Sequence, residues 1–338
     1  MNFLKNISKH FILLLLLILT IYLRIENYII TSAKPRLNLY ESQKPTPILS
    51  ASKAGSYLSA DNVNFRFKEN IILLLKNVNA ELIPVYPLKV INLDDVNAFQ
   101  INVSKADVFI ASSTLKVIMK DNIFNYPDSP LKIKELDFPE PNSNKIRLSG
   151  SLNFVIWLEF ELLGSISLDE KKEKIVITAE QITALGNSYA KSLLGAVGLN
   201  LEKLLPVPDG RGIKIKSNQI FVEPFSIFPP PKLSGTLQSL SIENGKLHLS
   251  LDNGKSVLVP TMPYPASKNF LYFFTGDLKF AKLFMVESSL QIYDKDESDP
   301  FDFFMEKYLL VLAKAGIVTV AEDRALKVVM PDYDDVFK

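Results

Sequence analysis

The side chains able to do chemistry are few, and most are carboxylates. DKDESDPFD sets Asp294, Asp296, Asp299 and Asp302 at short spacing, a pattern of oxygen ligands suited to a hard cation. An EF-hand loop counted from Asp294 needs glycine sixth and a bidentate glutamate twelfth. The chain has Asp299 and Met305 there, which excludes that loop. A charged turn capping a helix from Pro300 is the simpler reading. Glu159 and Glu161 lie two apart on one strand face, as a catalytic dyad could. That face is the polar one, so surface carboxylates are favoured over acid–base work. DGRG at 209–212 has no Lys-Ser/Thr after it and reads as a turn, not a phosphate loop.

The chain has no cysteine and only two histidines, His10 and His248. Thiol nucleophiles, disulfides and thiolate metal sites are thereby excluded, and histidine triads and zinc sites lose support. His248 alternates with Leu247, Leu249 and Leu251, which puts it on the polar side of a strand. No catalytic residue, metal or cofactor is expected, and the protein is not expected to be an enzyme. A formal net charge of +1, with acids and bases intermixed, gives no electrostatic footprint for nucleic acid.

The elements that would position these groups are mainly strands. In VIWLEFELLGSISLD, residues 155–169, the even positions from Ile156 to Leu168 are apolar apart from Gly164, and the odd ones include Glu159, Glu161, Ser165, Ser167 and Asp169. This is period-two alternation over about 45–50 Å, with one buried and one wet face. Trp157, the only tryptophan, lies on the wetter side. It reads either as packing against a second layer or as an exposed aromatic that meets lipid. DEKKEK joins this strand to EKIVITAEQI as an antiparallel hairpin, and ENG and DNG suggest further hairpins. The proline run 229–231 marks an extended edge or a crossing between parts of the sheet. A short helix near 300–316 and a closing hairpin complete the chain.

Two segments read as longer amphipathic helices. The first runs from Ser104, an N-cap with Asp107 at N3, to Ile123 before Pro127. The second spaces Ala190, Leu193, Leu194, Val197, Leu201, Leu204 and Leu205 by threes and fours and stops at Pro206. The expected fold class is therefore α+β, a long curved antiparallel sheet wrapped around one or two long amphipathic helices.

The N-terminus has a basic start at Lys5 and Lys9, then an apolar run from Phe11 to Leu23. Residues 1–33 are expected to form a signal-anchor, with a cleaved signal peptide as the alternative. Residues 34–60, polar and proline-containing, read as a linker. Residues 61–338 form the α+β domain, with a subdivision near 255 left open. The expected location is the bacterial inner membrane, by a single-pass N-terminal anchor, with the bulk of the chain in the periplasm.

ALGNSYAKSLLGAVGLNLEKLLPVPDGRGIKI, FPPPKLSGTLQSLSIENGKL, NFLYFFTGDLKFAKLFMVESSLQIYDKDESDPFDFF and VVMPDYDD resemble a family of bacterial envelope proteins over residues 102–335. The order of strand blocks and helices is also similar to the tubular lipid-binding superfamily, whose sheet wraps a helix with acyl chains in the seam. That resemblance implies lipid binding by analogy. The expected function is to hold or carry phospholipid or glycolipid acyl chains in envelope maintenance, at a seam of Phe109, Leu115, Leu158, Phe160, Leu193, Val197 and Leu201. The expected partners are that lipid, the membrane and, as an open alternative, an envelope protein. A ligand-free interaction scaffold of the envelope is the competing reading.

Overall fold

The computed structural model describes residues 55–85, 90–153, 157–184 and 200–337. The chain opens with β1 (Ser56–Asp61), β2 (Val63–Lys68), β3 (Ile71–Pro84), β4 (Ile91–Asn92) and β5 (Phe99–Ala111). The middle holds β6 (Leu131–Asp137), β7 (Lys145–Asn153), β8 (Trp157–Leu168), β9 (Ile175–Ala184), β10 (Ile213–Lys216) and β11 (Gln219–Val222). Then come β12 (Lys232–Ser234), β13 (Leu237–Glu243), β14 (Lys246–Asp252), β15 (Phe270–Phe274), β16 (Leu278–Phe280) and β17 (Leu283–Met285). β18 (Ser289–Asp294), β19 (Phe301–Phe304), β20 (Ile317–Val320) and β21 (Leu326–Met330) end the series.

These strands make three sheets. The largest has twelve strands, ordered β13-β14-β5-β3-β1-β15-β18-β21-β20, with β12 also beside β5 and β2 between β3 and β19. β6 to β11 form a six-stranded sheet, ordered β10-β11-β9-β8-β7-β6, and β17-β16-β4 a small third one. β3 organises the large sheet. Its Ile71–Leu75 half pairs β2 and its Val78–Leu82 half pairs β1, so two strands joined at Asn62 lie end to end along one edge. Its other edge pairs β5, with a register shift beside Asn77, whose φ is +52°. A bulge of this kind bends the strand and re-aims side chains.

In the six-stranded sheet the alternation read from the sequence is realised. Phe160, Leu162 and Ile166 are buried on one face of β8, while Glu159 and Ser167 are exposed. The buried faces of both larger sheets belong to one continuous core, which also takes in Ile118, Met119, Ile123, Leu201 and Leu204. The β8–β9 hairpin, the β13–β14 hairpin through Asn244 and Gly245, and the closing β20–β21 hairpin all form. Asn244 and Gly245 both have positive φ, as the tightest hairpin turns require.

The expected α+β architecture is not what forms. The described residues are mostly β, their helices are short, and the longest, Tyr308–Ala315, has eight residues, so among them no sheet is wrapped around long amphipathic helices. The sheet is not wholly antiparallel either, since β12–β5, β18–β21, β19–β2 and β16–β4 are parallel pairs. The helix expected from Ser104 fails because Asp107–Ala111 is the C-terminal stretch of β5, laddered to β14 throughout and, up to Ile110, to β3. Sheet pairing overrides a period that fits helix and strand alike. Helix is limited to Ser112–Val117 and a turn of π-helix at Ile118–Ile123. Of the second expected helix, residues 185–199 lie outside the described residues, and Leu201–Leu204 forms one short turn capped by the Asn200 side chain. The helix expected from Pro300 is displaced to Tyr308 by β19, whose Phe301–Phe304 run is wholly buried.

The N-terminal expectation is corrected too. No helix among the described residues is long and apolar enough to cross a membrane. Residues 1–33 lie outside the described residues, and their uncharged run from Phe11 to Leu23 is shorter than the ~20 residues a span needs. The transmembrane signal-anchor, and the inner-membrane and periplasmic location that rested on it, are not supported. β1 begins at Ser56, inside the stretch expected as linker.

Two glycines permit the close strand approach in the six-stranded sheet. A Cβ on Gly150 would lie 2.1 Å from the Lys132 carbonyl oxygen, and one on Gly164 would lie 2.4 Å from that of Thr178. Both sit at or beside register shifts. Neither carbonyl can yield without breaking the ladder. Gly150→Ala and Gly164→Ala are therefore expected to lower stability by about 1–3 kcal/mol, whereas exposed Ser167→Ala should stay within about 0.5 kcal/mol. Urea midpoints of the three variants check this, and equal midpoints would contradict it.

Candidate functional site

The first candidate is an apolar slot against one face of the large sheet. All of its lining residues are apolar, among them Leu58, Phe67, Leu75, Val103, Val108 and Leu251 from the sheet. A strap, residues 224–231, lines it with Pro224, Phe225 and Phe228, and β12 adds Leu233. The Phe228 ring meets Phe67 at 5.8 Å. Among the described residues, 224–231 are held by Ser226, whose N–H donates to the Glu223 carbonyl and whose hydroxyl donates to the Glu223 carboxylate, and by the Asn122 amide, which donates to the Ile227 carbonyl. Such sparse bonding marks a segment that opens more readily than the sheet beneath it. The free volume is about 80 Å³, smaller than the ~150 Å³ of an engineered dry cavity that accepts benzene.

The second candidate gathers carboxylates. Oxygen atoms of Asp294, Asp299 and Asp332 lie within 4.8 Å of one another, close enough to share one cation. Both Asp294 oxygens already accept bonds, from Asp296 N–H at 3.0 Å and Asn269 Nδ2 at 3.2 Å. Asp332 Oδ1 accepts from Asp302 N–H at 2.6 Å. Burial pushes Asp294 up to about 6, with Asp299 and Asp296 adding repulsion against those hydrogen bonds. Burial likewise raises Asp332 to about 7, reinforced by Asp294, Asp299 and Asp302. Beside this cluster Arg66, almost fully buried, donates from Nε and Nη2 to Asp302 and lies over the Phe304 and Tyr333 rings.

A third group surrounds His248. Its ring stacks on Phe109 at 4.4 Å and bonds Glu243 at 2.8 Å and Asp107 at 3.1 Å. The histidine is on the polar side of β14 as expected, but half-buried in this clasp. Glu243 is held below the usual carboxylate range by its bonds to His248 and Ser241.

A more open cleft of about 470 Å³ lies at the bulge in β3, between Asp61, Asn77, Asn79 and Lys105 and the chain at Val259–Pro265.

Comparison with models of protein families, with characterised proteins and with solved structures finds no match. The site is therefore read from its own geometry.

The expected seam residues are not brought together in the slot. Phe109 is on the opposite side of β5 from Val108 and Ile110, against His248. Leu115 is half-buried on the short helix Ser112–Val117 and packs on the core. Phe160 is buried and Leu158 half-buried on β8, and Leu201 is buried in its short turn. Leu193 and Val197 lie outside the described residues. Trp157 is 43 % exposed, with the Lys132 ammonium 4.1 Å above its ring. DGRG is a turn, whose Arg211 donates to the Asn122 and Asn125 carbonyls. Of the aspartates, Asp294 and Asp299 join the cluster, while Asp302 belongs to Arg66 and Asp296 caps its own turn through Ser298 N–H. Asp332 and Arg66 have no local signal, because each meets the cluster only through strand pairing. The slot residues Ala106, Val108 and Ile110 of β5 fall in the segment expected as a helix, and no local pattern joins them to β2 and β3 in one surface.

The raised carboxyls fix the sign of a pH effect. Each takes up its proton more readily folded than unfolded, so their contribution is full at low pH and is lost as pH rises through about 6 and 7. Melting temperature is expected to rise as pH falls from 8 toward 5.5. Asp332→Asn, which keeps the acceptor for Asp302 N–H, should raise Tm at pH 8 by about 2–4 °C and flatten that slope. A parent Tm independent of pH across this window would refute the assignment.

Proposed function

We propose that this protein binds an acyl chain of a phospholipid or glycolipid in the slot beneath the 224–231 strap. The observation that carries the reading is a lining with no polar residue, roofed by a segment with few backbone bonds of its own. At about 80 Å³ the closed slot does not hold a chain, so binding requires the strap to lift. Exposing Phe225 and Phe228 costs about 1.5–3 kcal/mol each, which four to eight buried methylenes offset at ~0.8 kcal/mol apiece. The head group stays at the mouth, and no covalent step is needed.

Native mass spectrometry of the full chain, after incubation with phosphatidylethanolamine and phosphatidylglycerol vesicles, tests this. The expected result is a one-to-one lipid adduct lost on denaturation. Val103→Trp, which fills the slot from β5, should abolish the adduct while leaving the far-ultraviolet circular dichroism unchanged. A chain that stays free of lipid, or an adduct indifferent to Val103→Trp, overturns the reading. The competing reading, an interaction scaffold, draws on a different part of the molecule, the uncovered apolar edge at Ile317–Val320.

A further inference from the structure

The cleft at the β3 bulge lies on the other face of the large sheet from the apolar slot. Leu58, Val78 and Ala106 line the slot, and their chain neighbours Ser59, Asn79 and Lys105 line the cleft, as alternation along β1, β3 and β5 requires. Ser59 is opposed to Asn79 and Asn79 to Lys105, so the three make one polar row across adjacent strands. Asp61 stands two residues along β1 from Ser59, on the same side. The volume, about 470 Å³, falls within the ~300–1,000 Å³ of small-molecule sites.

The polar groups of this floor are not consumed by the fold. Asp61 uses Oδ1 on the N–H groups of Asn62 and Asn77, at 3.0 and 3.1 Å, which fixes the carboxylate and, among the described residues, leaves Oδ2 without a donor. Lys105 is exposed and in no ion pair among the described residues. Asn79 Oδ1 is shut off from solvent with no hydrogen-bond partner, which turns the amide nitrogen toward the cleft. A buried acceptor left unmet costs stability, and groups kept at such a cost belong to functional sites more often than to scaffolding.

The facing wall is apolar and already in place. Val259 and Met262 pack against the small cluster of Phe270, Tyr272 and Phe274. Fully buried Gln291 pins this wall, its Oε1 accepting from Tyr264 N–H at 2.6 Å and its Nε2 donating to the Tyr264 carbonyl at 3.0 Å. A wall held in this way costs little further ordering when a ligand arrives. The floor sets the ligand's charge. A simple cation is opposed by Lys105 and a simple anion by Asp61, whereas a small zwitterion satisfies both.

We propose that the cleft binds a free α-amino acid with an apolar side chain. Its carboxylate accepts from Ser59 Oγ, Asn79 Nδ2 and Lys105 Nζ, its ammonium donates to Asp61 Oδ2, and its side chain lies against Val259, Met262 and Phe270. The inference does not rest on the lipid reading, which concerns the opposite face of these strands.

Isothermal titration calorimetry of the full chain with L-leucine, L-methionine and L-phenylalanine tests it. At least one is expected to bind one to one, and about tenfold or more tighter than its amide, which lacks the carboxylate, or its N-acetyl form, which lacks the ammonium. Asn79→Leu removes both the donor and the unmet acceptor. It should keep or raise the melting temperature while weakening binding about tenfold or more. Lys105→Met, at an exposed position, should leave the fold intact and cancel the advantage of the amino acid over its amide. No binding of the three amino acids, equal binding of the amide and N-acetyl forms, or unchanged binding by either variant overturns the proposal. Binding of O-phosphoethanolamine in their place also overturns it, since the cleft would then take a lipid head group.

Discussion

The large sheet depends on one strand that is paired along both edges. β3 carries β2 and β1 in succession on one side and β5 on the other. The later strands attach through these partners: β15 to β1, β19 to β2, β12 and β14 to β5. The C-terminal third is thus laid on a frame made by residues 56–111. These contacts are far apart in sequence, so ordering them costs loop-closure entropy before any pairing repays it. The burial of one face of β3, Ile71, Leu73, Val78, Ala80 and Leu82, offsets that cost.

Arg66 fastens the same frame at its far end. Its guanidinium ties β2 to β19 through Asp302 and reaches Asp334 in the helix Tyr333–Phe337. A buried charge is tolerable only when its donors are used, and here the two carboxylates and the Glu69 carbonyl use them. The adjacent carboxyls Asp294 and Asp332 are the counterpart, acids held where ionisation is penalised. Charge is concentrated in this region, while the slot on the sheet face carries none.

Much of the strand content was legible because period two is a local signal. β8, β9, the Asn244-Gly245 turn and the closing hairpin follow from alternation and turn residues alone. The segment Ser104–Ile123 was not legible, since Ala106, Val108 and Ile110 fit both a strand and a broad helical face. Partners from β3 and β14 decided it. The phenylalanines of β19 were likewise read into a helix, when their burial beside β2 makes them a strand.

Composition and local pattern by themselves established a cysteine-free, histidine-poor, charge-balanced chain rich in strands, and they excluded thiol chemistry and left histidine triads with little support. Those are properties of residue type and spacing, which need no partner. Tertiary structure alone decided that Asp332 meets Asp294, that Arg66 meets Asp302, and that the apolar faces of several strands share one slot beneath the 224–231 strap. Among the described residues it also left β20 at the end of the large sheet, paired only with β21. Each of these is set by which strands become neighbours, and strand order in a sheet is a matter of non-local pairing that period-two alternation does not encode.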